Sequence, residues 1–133
     1  MLFPKRGIME IFKIAHRGNR KGKRAEREND PVYLLEALEE GYHCEVDVWY
    51  VDNKIFLGHD APTYERSIDF LKNDKLFCHA KNIEALHRML EEPDIHCFWH
   101  EDDLVTLTSK GYVWKYPEVY FQGKLWGVCS DWL

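Results

Sequence analysis

The sequence predicts an α/β fold of about six parallel strands in a single domain spanning residues 1–133. Short β-rich runs alternate with helix signals along most of the chain, the pattern of βαβ units. A length of 133 residues, with 45% hydrophobic and 31% charged side chains, suits one ordinary hydrophobic core.

Ile11 to Ala15 is an apolar run bounded by the polar stretch Asn19 to Asp30, so it reads as a strand with His16 at its C-terminal end. Asp30 suits an N-cap and Pro31 the first helical position. Leu34, Leu35 and Leu38 form an apolar stripe and Gly41 fits the C-terminal cap. Residues 43–51 follow as a strand, Asp52-Asn53 as a turn, and Lys54 to Leu57 as a returning arm. Thr63 is expected to cap a helix through Leu71, and Lys75 to Cys78 to form a strand. Asn82 caps a helix through about Glu91, with Ile83, Leu86 and Leu90 as its buried stripe and Pro93 blocking continuation. Ile95 to Trp99 is the next strand, and Asp102 or Asp103 is expected to start a weak helix ending at Gly111. Tyr112 to Tyr116 and Gly127 to Ser130 are the last two strands.

No apolar run approaches the roughly 20 residues that span a bilayer, and MLFPKRGIMEIF lacks the apolar core and cleavage site of a signal peptide. The expectation is a cytoplasmic protein without a transmembrane segment. Cys44, Cys78, Cys97 and Cys129 each lie in a β-rich run and form no CxxC pair, which favours reduced core thiols over disulfides. The net charge of −5 divides unevenly: residues 1–30 carry nine Lys/Arg against four Asp/Glu, the remainder nine against nineteen. That acidic remainder argues against nucleic acid as a partner.

Glu45 and Asp47 lie two apart on a strand, so their side chains leave one face with about 7 Å between Cα atoms and can converge on one cation. Paired carboxylates favour Mg²⁺ or Ca²⁺ over zinc. The alternative is an exposed edge strand with an acidic face in water. His96 and His100 have HxxxH spacing, but on a strand their Cα atoms stand about 13 Å apart, too far to share an ion. The loop Arg20-Lys21-Gly22-Lys23-Arg24 either steers an anionic substrate or is simply solvated.

The order Ile14-Ala15-His16-Arg17-Gly18, Glu28-Asn29, Cys44-Glu45-Val46-Asp47-Val48, Gly58-His59-Asp60 resembles the HRG, EN, ExD and HD pattern of the glycerophosphodiester phosphodiesterases. These are metal-dependent enzymes of the phosphatidylinositol-phospholipase-C-like (β/α) barrel superfamily. The resemblance covers nearly the whole chain, strongly over residues 12–60 and loosely from 95 onward. It implies a general acid/base pair in His16 and His59, metal ligands in Glu28, Glu45 and Asp47, and phosphate contacts from Arg17 and Lys81. Trp114 matches a position that flanks the substrate. His79 stands where the family carries an acidic ligand two residues before the lysine, so it either coordinates as an imidazole or does not bind.

A full (β/α)8 barrel needs about 200 residues. The resemblance therefore implies a reduced TIM-type (β/α) barrel, with residues 107–131 as the last two units and two middle βα units missing. An open edge in such a barrel would call for a partner subunit, so a homo-oligomer is a possible state. The function implied is hydrolysis of a glycerophosphodiester or related small phosphodiester. The alternative is a degenerate barrel that binds a phosphate ligand or serves assembly.

Overall fold

A computed structural model describes residues 10–115, 118–121 and 125–129. The elements are β1 (Glu10–His16), α1 (Pro31–Glu39), β2 (His43–Val51), β3 (Lys54–Leu57), β4 (Tyr64–Arg66), a 3-10 helix (Ile68–Lys72), β5 (Leu76–Ala80) and α2 (Ile83–Leu90). They continue with β6 (Cys97–Phe98), β7 (Thr106–Leu107), β8 (Tyr112–Lys115), β9 (Glu118–Phe121) and β10 (Leu125–Cys129). Of the residues expected in strands, Tyr116 and Ser130 lie outside the described residues.

The sheet is mixed, which corrects the expected parallel (β/α) barrel of about six strands. Parallel pairing joins β10 to β1, β1 to β2, β2 to β5 and β5 to β6. The remainder is antiparallel: β2–β3–β4 on one side, and β10–β9–β8–β7 on the other. Connection length explains the second half. Parallel neighbours need a crossover of a dozen or more residues, whereas two residues separate β8 from β9 and three separate β9 from β10.

Two expected helices are likewise replaced. Thr63 does not cap a helix: its N–H donates to the Leu57 carbonyl, and the chain continues as β4 along β3 before the short 3-10 helix. The stretch after Asp103 forms β7, whose backbone pairs with β8 through a tight return at Thr108 to Gly111. Only α1 and α2 remain as α-helices among the described residues.

Both helices start where the caps predict. The Asp30 carboxylate accepts from Val32 N–H, and the Asn82 carbonyl oxygen accepts from Ala85 N–H. The faces differ from the expected stripes. In α2, Ala85 and Met89 are buried, while Ile83 and Leu90 are 51% and 57% exposed; in α1, Leu35 faces outward. The Asn82 side chain also bonds both the N–H and the carbonyl of Tyr50, and this attachment to β2 sets the rotation of α2.

Side chains alternate across the parallel strands and separate two cores. Ala15, Cys44, Val46, Val48, Cys78, Ala80 and Cys97 pack under the helices with Leu34, Ala37, Ala85 and Met89. Ile14, Phe77, Phe98, Trp114 and Val119 gather on the opposite face with Phe12 and Tyr112. The Phe77 and Trp114 rings lie 5.5 Å apart. Along the ladder β5 and β8 are five strand spacings apart, roughly 24 Å in a flat sheet. The sheet therefore curls about this aromatic core, and Ser109 N–H donates to Cys97 O, bringing the β7–β8 turn against β6. Cys44, Cys78 and Cys97 are buried and free. No helix among the described residues is long and apolar enough to cross a membrane.

Candidate metal and phosphate centre

The concave face of the curled sheet carries His16, Glu45, Asp47 and His79 in adjacent register: His16 lies beside Glu45, and Asp47 beside His79. Strand alternation alone puts Glu45 and Asp47 on this face. They are almost fully buried there, which removes the exposed acidic edge as an alternative.

At the end of β1 the chain reverses sharply. Arg17 has φ 57° and Gly18 φ 92°, the left-handed region costly for most residues. A Cβ on Gly18 would lie 2.8 Å from the Tyr33 ring, so the motif glycine answers both a conformational and a steric demand. The turn directs the Arg17 guanidinium across the site. Its Nε lies 3.2 Å from Asp47 Oδ2, Nη1 donates to Glu28 Oε1 at 3.2 Å, and Nη2 lies 3.4 Å from His59 Nε2.

Asn29, buried with φ 65°, holds Asp47 from two sides. Its carbonyl oxygen accepts from Asp47 N–H, and its amide donates to Asp47 Oδ2, both at 2.9 Å. Asn19 donates to Glu28 Oε2 at 2.9 Å and accepts from Tyr33 O–H. Glu28, expected among metal ligands, is thus held by Arg17 and Asn19. His59 reaches the site because Gly58 carries φ 155° where a Cβ would meet the Ala61 carbonyl at 2.0 Å. His59 Nδ1 then lies 3.3 Å from Asp47 Oδ2.

His79 faces both acids, with Nδ1 3.4 Å from Glu45 Oε2 and 3.3 Å from Asp47 Oδ1. His16 Nε2 stands 3.8 Å from Glu45 Oε1. Burial alone would lower the His79 pKa; its contacts with Asp47 and Glu45 outweigh this and raise it to about 10. Burial by itself would raise Asp47. Hydrogen bonds from His59, His79 and Asn29, with the Arg17 charge, hold it well below the usual carboxylate range.

Glu45, Asp47 and His79 offer ligand atoms within 4.8 Å of one another. Glu45 Oε1 and Asp47 Oδ1 are buried and accept no well-aligned hydrogen bond, the facing nitrogens being His16 Nε2 at 3.8 Å and His79 Nδ1 at 3.3 Å. Orphaned anionic oxygens cost free energy unless a cation or donor meets them, so this donor set suits a divalent ion.

A cleft of about 530 Å³ opens beside this group, lined by Arg17, Lys23, Glu28, Gly58, His59 and Asp60 among others. Of the basic loop, Arg20 is tied to Glu36 and Glu40 and Arg24 to Glu26, leaving Lys23 on the cleft wall. Lys81 directly follows β5, anchored by its N–H on Val48 O, and its side chain makes no ion pair among the described residues. Trp114 is not brought to the cleft: it is 4% exposed and stacks on Phe98 in the inner core. His96 and His100 do not meet, since His96 pairs with Thr108 in the core. Sequence reasoning missed the clamp of Asn29 on Asp47 and the part played by Asn19. The available signal was an asparagine able to take positive φ just before the Asp30-Pro31 helix start.

No family model, curated protein or solved structure matches this chain.

Proposed function

We propose that the chain is a metal-dependent phosphodiesterase acting on a glycerophosphodiester or a related small phosphodiester. One observation carries the reading: three histidines (His16, His59 and His79), one arginine and two buried carboxylates, drawn from β1, β2, β5 and the turns after β1 and β3, converge beside one cleft.

Each residue has a chemical part. Asp47 Oδ2 only accepts, so the His59 nitrogen facing it, Nδ1, carries hydrogen; Arg17 only donates, so His59 Nε2 is the unprotonated nitrogen, its lone pair meeting Arg17 Nη2 at 3.4 Å until a substrate hydroxyl or water takes that place. That tautomer is suited to taking a proton from an attacking water or substrate hydroxyl. His16, on the Glu45 side, is placed to return a proton to the departing alkoxide. The bond from phosphorus to that alkoxide breaks as the bond to the attacking oxygen forms, giving a phosphomonoester and an alcohol. Arg17 and Lys23, both on the cleft wall, would supply positive charge toward the phosphate oxygens, whereas Lys81, just past the end of β5, is not among the residues lining the cleft. Glu45, Asp47 and His79 would hold the divalent cation, whose chemistry when bound is to neutralise phosphate charge and orient the attacking oxygen.

The test is release of phosphomonoester from glycerophosphocholine, glycerophosphoethanolamine and a chromogenic phosphodiester, each with and without added divalent cation. Cation-dependent release supports the reading. Saturable binding of a phosphodiester without turnover would point instead to a phosphate-ligand binding module.

A further inference from the structure

Building on the metal reading above, we propose that His79 makes this a mixed oxygen and nitrogen site that prefers a first-row transition dication, such as Mn²⁺, Co²⁺ or Zn²⁺, over Mg²⁺ and Ca²⁺. His79 Nε2 lies 2.9 Å from the His100 carbonyl oxygen. A carbonyl only accepts, so Nε2 carries hydrogen and Nδ1 is the nitrogen left to coordinate. Nδ1 points at Glu45 Oε2 and Asp47 Oδ1. A backbone carbonyl holding the distal N–H is the usual way a metal-binding imidazole is oriented.

The ring is also supported from beneath. It lies on Phe98 with 4.9 Å between centroids and 8° between planes, and Phe98 in turn stacks on Trp114. The buried Glu45 Oε1 and Asp47 Oδ1, which accept no well-aligned hydrogen bond, point independently to a cation as their partner. The other acids at the cleft do not complete an all-oxygen set: Glu28 is held by Arg17 and Asn19, and Asp60 is turned out to solvent beside His59. Mg²⁺ demands octahedral oxygen and Ca²⁺ six to eight oxygens, whereas imidazole with carboxylate suits the transition dications.

Calorimetric titration of the full chain with Zn²⁺, Co²⁺, Mg²⁺ and Ca²⁺, beside His79→Glu and Glu45→Gln variants checked for folding by circular dichroism, tests this. One tight equivalent of Zn²⁺ or Co²⁺ is expected, lost in Glu45→Gln, which separates it from weak binding at exposed histidines. His79→Glu should lower the ratio of Zn²⁺ to Mg²⁺ affinity by at least about tenfold. Proton NMR of the Co²⁺-loaded native chain should show one strongly shifted, solvent-exchangeable resonance, the His79 Nε2–H, that vanishes in D₂O. This readout decides the matter even where His79→Glu fails to fold. An unchanged affinity ratio, or bound Co²⁺ without the exchangeable resonance, would overturn the role of His79 while leaving a metal site standing. Absence of any Glu45-dependent metal binding would overturn the metal reading itself.

Discussion

Asp47 is the residue on which the site turns, because Arg17, Asn29, His59 and His79 all converge on its carboxylate. The two histidines on either side of the carboxylate pair should matter for rate more than for folding. His16→Ala and His59→Ala are each expected to lower turnover by about 10² to 10⁴, measured as phosphomonoester release in protein with native circular dichroism. Near-normal turnover would remove that histidine from the mechanism. His79 gives a second prediction at this scale. Its folded pKa of about 10 exceeds the unfolded value near 6.5, so its contribution to stability is complete below pH 6.5 and lost as pH rises through 10. Denaturant melts of metal-free protein should lose on the order of 3 kcal/mol across that window, and His79→Gln should flatten the slope. The same proton must leave for metal to bind, so metal affinity should climb with pH up to about 10 rather than level off near the ordinary histidine value. A pH-independent affinity would place His79 outside the coordination sphere.

At the scale of elements, the motifs are strand ends whose backbones are bent to present a side chain. Gly58 shows how tight that bend is. Gly58→Ala should cost more than about 2 kcal/mol, since the new methyl would collide with the Ala61 backbone rather than a movable side chain. It should also displace His59 and depress turnover at concentrations where the protein is still folded; a variant with native melting would contradict the contact. Asn82 plays a structural part of similar weight. It caps α2 and bridges Tyr50 N–H and carbonyl, so Asn82→Ala removes a cap and a two-way link to β2 together. A loss of about 2 to 3 kcal/mol is expected in equilibrium denaturation, against about 1 for Asp30→Ala, which caps α1 through Val32 alone.

For the whole molecule, the curled sheet separates a charged end of its concave face from an aromatic one. His96 lies in the aromatic end, 4.4 Å from the Phe77 ring and hydrogen-bonded to Thr108. Burial, with Lys110 and His43 nearby, lowers its pKa to about 4. A folded value below the unfolded one means stability complete above pH 6.5 and lost as pH falls through 6.5 toward 4. An acid limb on the order of 2 kcal/mol is expected in denaturant melts, reduced in His96→Gln, so metal-free stability should peak near neutral pH between the His96 and His79 limbs. An acid limb unchanged in His96→Gln would assign it to other groups. Much of the site was legible locally. The HRG, ExD and HD segments were read at the strand ends and strand centre where they stand, and the Asp52-Asn53 turn takes positive φ at both residues, as a two-residue hairpin requires. The sheet was not legible in the same way. Tyr64 to Arg66 and Thr106 to Leu107 carry helix-start signals upstream yet pair as strands, because a neighbouring strand edge offers backbone hydrogen bonds that a short isolated helix cannot match.

What the sequence by itself determined is what covalent geometry and near neighbours control. Alternation places Glu45 and Asp47 on one face, Asp30 and Asn82 start the helices, and Gly18 and Gly58 permit the turns that expose the flanking residues. Only the tertiary structure decided which strands run antiparallel, that His79 joins the two acids, that Trp114 is buried under Phe98, and that Asn29 clamps Asp47. Those outcomes depend on pairing between segments distant in sequence. Pairing is chosen by the burial and hydrogen bonding of the sheet as a whole, to which no local window has access.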